Sequence, residues 1–129
     1  MTLTQFIKTY NGQKVDFDKK YGFQCVDLYR QYLKDVLGVE QTPAVDGAKD
    51  IFENHGNLNI TKDSNVADYS RGDVLIWDST STNPYGHVAI LVDIYNTKYF
   101  IVFEQDGFKQ DGARLNFRSR ENLKGCLWK

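Results

Sequence analysis

Cysteine is scarce in this chain. Cys25 and Cys126 are the only two, separated by most of the sequence and without a Cys-x-x-Cys spacing, which excludes a disulfide framework and a zinc knuckle and leaves two reduced thiols. An excess of charge of either sign is missing too. Sixteen Lys and Arg against seventeen Asp and Glu give a formal charge of -1, so nothing draws the chain to nucleic acid or to an anionic membrane. Apolar runs such as Val88 to Val92 fall far short of the roughly 20 residues that cross a bilayer. Met1 opens no charged-then-apolar leader, so no signal peptide is expected. Repeats, linkers and low-complexity stretches are absent as well.

What is present suits one globular domain spanning residues 1–129, with 41% hydrophobic and 14% aromatic residues to build a core. Leu3, Phe6, Ile7 and Tyr10 recur at helical spacing before Asn11-Gly12 and predict a short opening helix. Val26, Tyr29, Leu33, Val36 and Leu37 mark one face of a longer helix from Cys25 to Leu37, with Gly38 placed to end it. Ala48 to Asn54 reads as a shorter helix, and Gly56 to Ser70 as polar loop with one irregular turn. After Arg71 the pattern changes. Val74 to Trp77, His87 to Ile94 and Tyr99 to Glu104 are rich in β-branched and aromatic residues, and Leu115 to Phe117 and Cys126 to Trp128 are weaker strands. Helices first and strands afterwards predict an α+β fold, with N-terminal helices packed on a five- to six-stranded antiparallel sheet.

Cys25 stands where a polar loop gives way to the long helix, a place where unpaired first-turn N–H groups favour an anionic sulfur. A lone cysteine is more often a small buried apolar residue, and Cys126, in the Gly-Cys-Leu-Trp stretch, suits that inert role better. A second constellation follows from turn chemistry. If Asn96 and Thr97 form a two-residue turn, Tyr95 faces Lys98, and counting back along both strands sets Ala89 opposite Glu104 and His87 opposite Asp106. All four side chains then share a face, and Glu104 is the diagonal neighbour of His87, about 7–8 Å away at the backbone and within side-chain reach. That is a general base with an acid to orient it. The other histidine, His55, precedes Gly56 at a helix end and is given no catalytic part.

Five segments carry a family resemblance: Tyr21-Gly22-Phe23-Gln24-Cys25-Val26-Asp27-Leu28, Gly47-Ala48-Lys49-Asp50, Gly72-Asp73-Val74-Leu75, Tyr85-Gly86-His87-Val88-Ala89 and Phe103-Glu104-Gln105-Asp106-Gly107. In this order and spacing they resemble the CHAP domains (cysteine, histidine-dependent amidohydrolase/peptidase) of phage endolysins. The resemblance implies a papain-like fold and a bacterial peptidoglycan hydrolase, an amidase or endopeptidase. Cys25 would attack an amide carbonyl, His87 would relay the proton and Glu104 would orient His87. Gln24 or helix-head N–H groups would stabilise the oxyanion. Asp106 would take a fourth role at a station where family members often carry asparagine, so the chain departs from the pattern there. In many phage members the loop ahead of the cysteine binds calcium. Asp16, Asp18 and Asp27 match that loop, with the carbonyls of Lys20 and Gly22 as further ligands. A monomer is expected, made in the host cytoplasm and reaching the wall after membrane permeabilisation. Two alternatives stay open: a non-catalytic wall-binding module presenting Trp77, Tyr85 and Phe108, and a related thiol endopeptidase family that usually orients its base with a second histidine, where this chain has Glu104.

Overall fold

The computed structural model describes residues 1–19, 22, 24–63 and 65–129. The chain opens with helix α1 (Leu3–Tyr10). Its N-terminus is closed reciprocally, the Gln5 N–H donating to Thr2 Oγ1 at 3.1 Å and the Thr2 N–H to Gln5 Oε1 at 2.8 Å, so two first-turn donors are satisfied at once. Helix α2 (Cys25–Tyr32) runs on as one wide π-helical segment, Leu33–Leu37, which Gly38 closes in the left-handed conformation at φ 61°. The continuous helix predicted to Leu37 is thus present with its last turn widened.

Ala48–Ile51 forms a single 3₁₀ turn where a longer helix was expected. Helical hydrogen bonding continues irregularly beyond it, the Asn54 N–H being shared between the Asp50 and Ile51 carbonyls, each at 3.1 Å.

Six strands follow: β1 (Asn59–Lys62), β2 (Val74–Trp77), β3 (His87–Ile94), β4 (Tyr99–Glu104), β5 (Arg114–Ser119) and β6 (Leu123–Trp128). They lie in the order β1-β6-β2-β3-β4-β5, with every neighbouring pair antiparallel. Strand β1 falls in the stretch predicted as polar loop. It is an edge strand with no fully buried residue, so it has no apolar face to leave a period-2 signal. The irregular turn predicted in the same stretch is the 3₁₀ turn Val66–Asp68.

Both faces of the sheet are covered. On one, Phe6, Leu28, Tyr29, Tyr32, Leu33 and Ile51 pack against Val74, Ile76, Val88, Ile90, Phe103 and Leu127. On the other, Leu75, Trp77, Ala89, Leu91, Phe100, Val102 and Cys126 form a second layer closed by Val66 and Tyr69. Burying each large apolar side chain contributes about 1.5–3 kcal/mol, so the sheet is a rigid platform for what stands at its ends. The 66–69 segment turns the second face into a core, which the one-sided packing read from the sequence did not foresee.

Strand register decides which side chains meet. β3 and β4 pair Ile90 with Phe103 and Leu91 with Val102, as counted from the sequence, yet Ile94 pairs with Phe100 rather than Tyr99. The connection is one residue longer than a two-residue turn, and a bulge at Val92 offsets it. The predicted register therefore holds at Ile90 and Leu91 and is wrong at the tip, and the ladder stops at the Ile90–Phe103 pair, short of the predicted Ala89–Glu104 and His87–Asp106 pairs.

Candidate active site

His87 is the first residue of β3 and lies opposite Trp77 of β2. Its approach is fixed by Gly86, whose φ of 73° and whose closeness to the Trp77 carbonyl and to Lys49 leave no room for a Cβ. The Asn83 Nδ2 donates to the Gly86 carbonyl at 2.9 Å and the Lys49 N–H to the Tyr85 carbonyl at 2.9 Å. A short loop is thereby tied to the sheet on both sides of the ring.

His87 is 8% exposed and Glu104 1% exposed. His87 Nε2 and Glu104 Oε1 are 2.9 Å apart. That contact leaves Nδ1 for another partner, and Cys25 at the head of α2 is near enough to act on the ring. Burial works against the imidazolium, but the hydrogen bond and charge of Cys25, with the hydrogen bond of Glu104, outweigh it and raise His87 from 6.5 to about 9. Glu104 moves the other way. Burial opposes its ionisation, while hydrogen bonds from His87 and Arg118 hold the carboxyl well below the usual carboxylate range.

Cys25, His87 and Glu104, from three elements, are thus brought together as the sequence predicted. Asp106 is not. It lies beyond the end of β4, and its Oδ1 accepts the Phe108 N–H at 2.8 Å and the Lys109 N–H at 3.4 Å, closing a turn in its own loop. It is not among the groups acting on the imidazole. Gln24 stands immediately before α2, its N–H donating to Asp27 Oδ2 at 2.9 Å and its side chain lying against Gly107.

Three residues not singled out from the sequence complete the cluster. Arg118 grips Glu104 with two bonds, Nε to Oε1 at 2.6 Å and Nη2 to Oε2 at 2.9 Å, and Asn116 Nδ2 reaches Oε2 at 3.0 Å. The Arg-Leu-Asn-Phe-Arg alternation of β5 was the available signal. The long connection from Glu104 to Arg114, however, gives no turn from which to count the register. The third, Gln105, is fully buried. It accepts the Val15 N–H at 2.8 Å and donates to the carbonyls of Val15 at 2.7 Å and Gln24 at 2.9 Å, fastening the loop ahead of Cys25 to the end of β4.

That loop holds a second cluster. Asp16, Asp18 and Asp27 bring carboxylate oxygens within 4.8 Å of one another. Asp16 Oδ1 is buried without a hydrogen-bond partner among the described residues. Burial is the main cause raising Asp27 from 3.8 to about 6, and the charge of Asp18 adds to it. Hard oxygens converging with a vacant buried lone pair suit a divalent cation. Gly22 is described at φ 76°, whereas Lys20 lies outside the described residues.

The remaining expectations are also located. Cys126 is fully buried and its thiol is pushed up to about 12, chiefly by burial and the charge of Asp73, consistent with an inert thiol. His55 Nδ1 contacts the Leu58 carbonyl at 2.7 Å. Of the aromatics proposed for a binding face, Tyr85 and Phe108 are 56% and 67% exposed, but Trp77 is buried, because it packs on His87 and Phe100 in the second core layer.

The CHAP domain profile matches residues 14–106. The chain belongs to the CHAP domain family. A relative of this CHAP domain, Endolysin PlyTW of Staphylococcus phage Twort, is 32% identical over 106 residues, covering 78% of this chain and 22% of that protein. The crystal structure of the wild-type endolysin LysIME-EF1 superposes with TM-score 0.71 at 19% identity, over 98% of this chain and 63% of that one. Ly7917 gives TM-score 0.71 at 17% identity, over 99% and 62%. These structural likenesses bear out the papain-like α+β fold. The chain spans less than two thirds of the length of each of these proteins. Among the described residues no helix is long and apolar enough to cross a membrane.

Proposed function

We propose that this CHAP domain is a peptidoglycan hydrolase that cuts amide bonds of the bacterial wall through a cysteine thioester, as the catalytic part of a phage endolysin. The observation that carries the reading is the Cys25–His87–Glu104 chain of contacts at the head of α2. The relatives are endolysins, which supports the wall as substrate.

In the proposed reaction the Cys25 sulfur attacks the amide carbonyl, and the carbonyl oxygen gathers the negative charge. The Gln24 side chain and the backbone N–H at the helix head stabilise that oxyanion. His87 Nδ1–H protonates the departing amine as the C–N bond breaks, leaving a thioester. A water molecule, losing its proton to Nδ1, then releases the acid and restores the thiol–imidazole pair. Glu104 keeps Nε2 protonated throughout, so that only Nδ1 exchanges protons.

Asp16, Asp18 and Asp27, with the Gly22 carbonyl, would hold Ca²⁺ ahead of the nucleophile. The ion would neutralise the clustered carboxylates and brace the loop leading into α2. Lys20 completes the expected ligand set from outside the described residues.

Incubation of purified protein with susceptible cells and isolated walls tests the reading, with new amino groups counted and fragments weighed by mass spectrometry. Wild type should clear the suspension and release amino groups, and Cys25→Ala should do neither. Equal clearing by Cys25→Ala would refute the thiol mechanism, and wall binding without any new amino groups would identify a binding module instead.

A further inference from the structure

Glu104 receives four hydrogen-bond donors. Oε1 receives His87 Nε2 at 2.9 Å and Arg118 Nε at 2.6 Å, while Oε2 receives Arg118 Nη2 at 2.9 Å and Asn116 Nδ2 at 3.0 Å. Four donors fill about all the lone-pair sites that a carboxylate offers. Three of the four come from β5, an edge strand that contributes neither nucleophile nor base.

We propose that Arg118, assisted by Asn116, is a positioning residue that locks Glu104 against His87 Nε2 and thereby aims Nδ1 at the Cys25 sulfur. The inference rests on the thiol mechanism proposed above. A carboxylate this deeply buried, with only an imidazole beside it, is free to rotate about its last torsion or to take up a proton. A guanidinium fork fixes the plane of the carboxylate as well as its charge, which an ammonium cannot do. The fork is itself braced. The guanidinium carbon lies 5.8 Å from the centre of the Trp77 ring, and that indole is fixed by its Nε1 donating to the Ser119 carbonyl at 2.9 Å. Trp77 also contacts His87, with ring centres 5.7 Å apart, so one aromatic plate backs both the base and the residue that steadies its orienter.

The groups facing His87 are Cys25 from α2, Glu104 from β4, Arg118 from β5 and the uncharged Trp77 from β2, and Asp78 and Glu121 line the cavity beside the ring. Removing the Arg118 charge favours the imidazolium and disfavours the carboxylate, so it pushes both groups up. The glutamate gives the unambiguous readout, because both the hydrogen bond and the charge of Arg118 favour its ionised form.

The test is kcat and KM on wall fragments across the pH range for Arg118→Gln and Arg118→Lys, with ¹⁵N spectra of the histidines in substrate-free protein. Arg118→Gln should lower kcat by about 30-fold with KM changed by less than about twofold. Its acidic limb should move up by about one pH unit as Glu104 begins to titrate, and the His87 Nε2–H signal should broaden. Arg118→Lys, with the charge but not the fork, should keep the wild-type acidic limb and recover only part of kcat. Wild-type kcat and pH profile in Arg118→Gln would overturn the proposal, as would a loss lying wholly in KM. If Arg118→Gln does not fold, an Arg118→Lys variant with full kcat and an unaltered Nε2–H signal overturns it. Cys25→Ala separates the two ideas: full turnover by that variant sinks the thiol mechanism, whereas an inactive Cys25→Ala beside an unimpaired Arg118→Gln sinks only the role of Arg118.

Discussion

Glu104 and Asp27 are buried to nearly the same degree, 1% and 3% exposed, yet the protein treats them in opposite ways. Around Glu104 it places an imidazole, a guanidinium and an amide, and the carboxyl ionises more readily than in water. Around Asp27 it supplies the backbone N–H groups of Gln24 and Asp18, which do not offset the burial, and with the Asp18 charge added to that burial the carboxyl ionises less readily. The first cluster is closed by donors of the chain itself, while the second retains a buried Asp16 oxygen with no partner among the described residues. Burial alone therefore says little about a carboxylate. What decides is whether the donors and cations packed against it outweigh the cost of burial, as they do at Glu104 and do not at Asp27.

The sharpest way to break this contrast is to remove groups from the self-sufficient cluster. Cys25→Ala and His87→Ala should each lower amino-group release by on the order of 10³-fold or more, with melting curves confirming the fold. Glu104→Gln should cost on the order of 10²–10⁴-fold in kcat. The same change should destabilise the protein by about 2–3 kcal/mol in urea titration, toward the low end for a broken buried pair because the Arg118 side chain is 31% exposed.

The acidic loop should respond to the ion rather than to a partner in the chain. Saturating Ca²⁺ added to chelator-treated protein should raise the melting temperature by about 5–10 °C, and Asp16→Asn should abolish most of that increment. An unchanged melting temperature after exhaustive chelation would remove the contrast altogether.

Proton linkage sharpens the comparison further. His87 is raised from 6.5 to about 9 on folding, so its contribution to stability is fully present below pH 6.5 and is lost as pH rises through about 9. Urea unfolding at stepped pH should register that loss in wild type. In Glu104→Gln the window should contract toward neutral pH. The smallest effect belongs to the second thiol: Cys126→Ala should cost about 1 kcal/mol and leave turnover unchanged, and a thiol reagent should label native protein at Cys25 alone.

Much of this was legible because local chemistry carried it. The helix ending at Gly38 and the three apolar strands announced themselves through periodicity and β-branched content, and Cys25 stood out as the loop-to-helix boundary residue. Less legible was anything decided by long connections. β1 leaves no pattern because an edge strand buries nothing fully, and Asn116 and Arg118 belong to a strand whose register no short turn fixes. Asp106 was placed opposite His87 by extending a ladder whose last pair is Ile90 with Phe103, and its side chain instead serves its own loop. The pairing of His87 with Glu104 emerged from a count in which a longer turn and the Val92 bulge cancelled.

That cancellation bears on engineering. Because the extra residue near Val92 takes up the mismatch between the 95–98 tip and the rest of the hairpin, the tip is mechanically decoupled from the strand ends that face the thiol. A short peptide tag or fluorophore spliced between Asn96 and Thr97 should therefore be accommodated by slack in the ribbon, giving a handle at the opposite end of the sheet from the cleft.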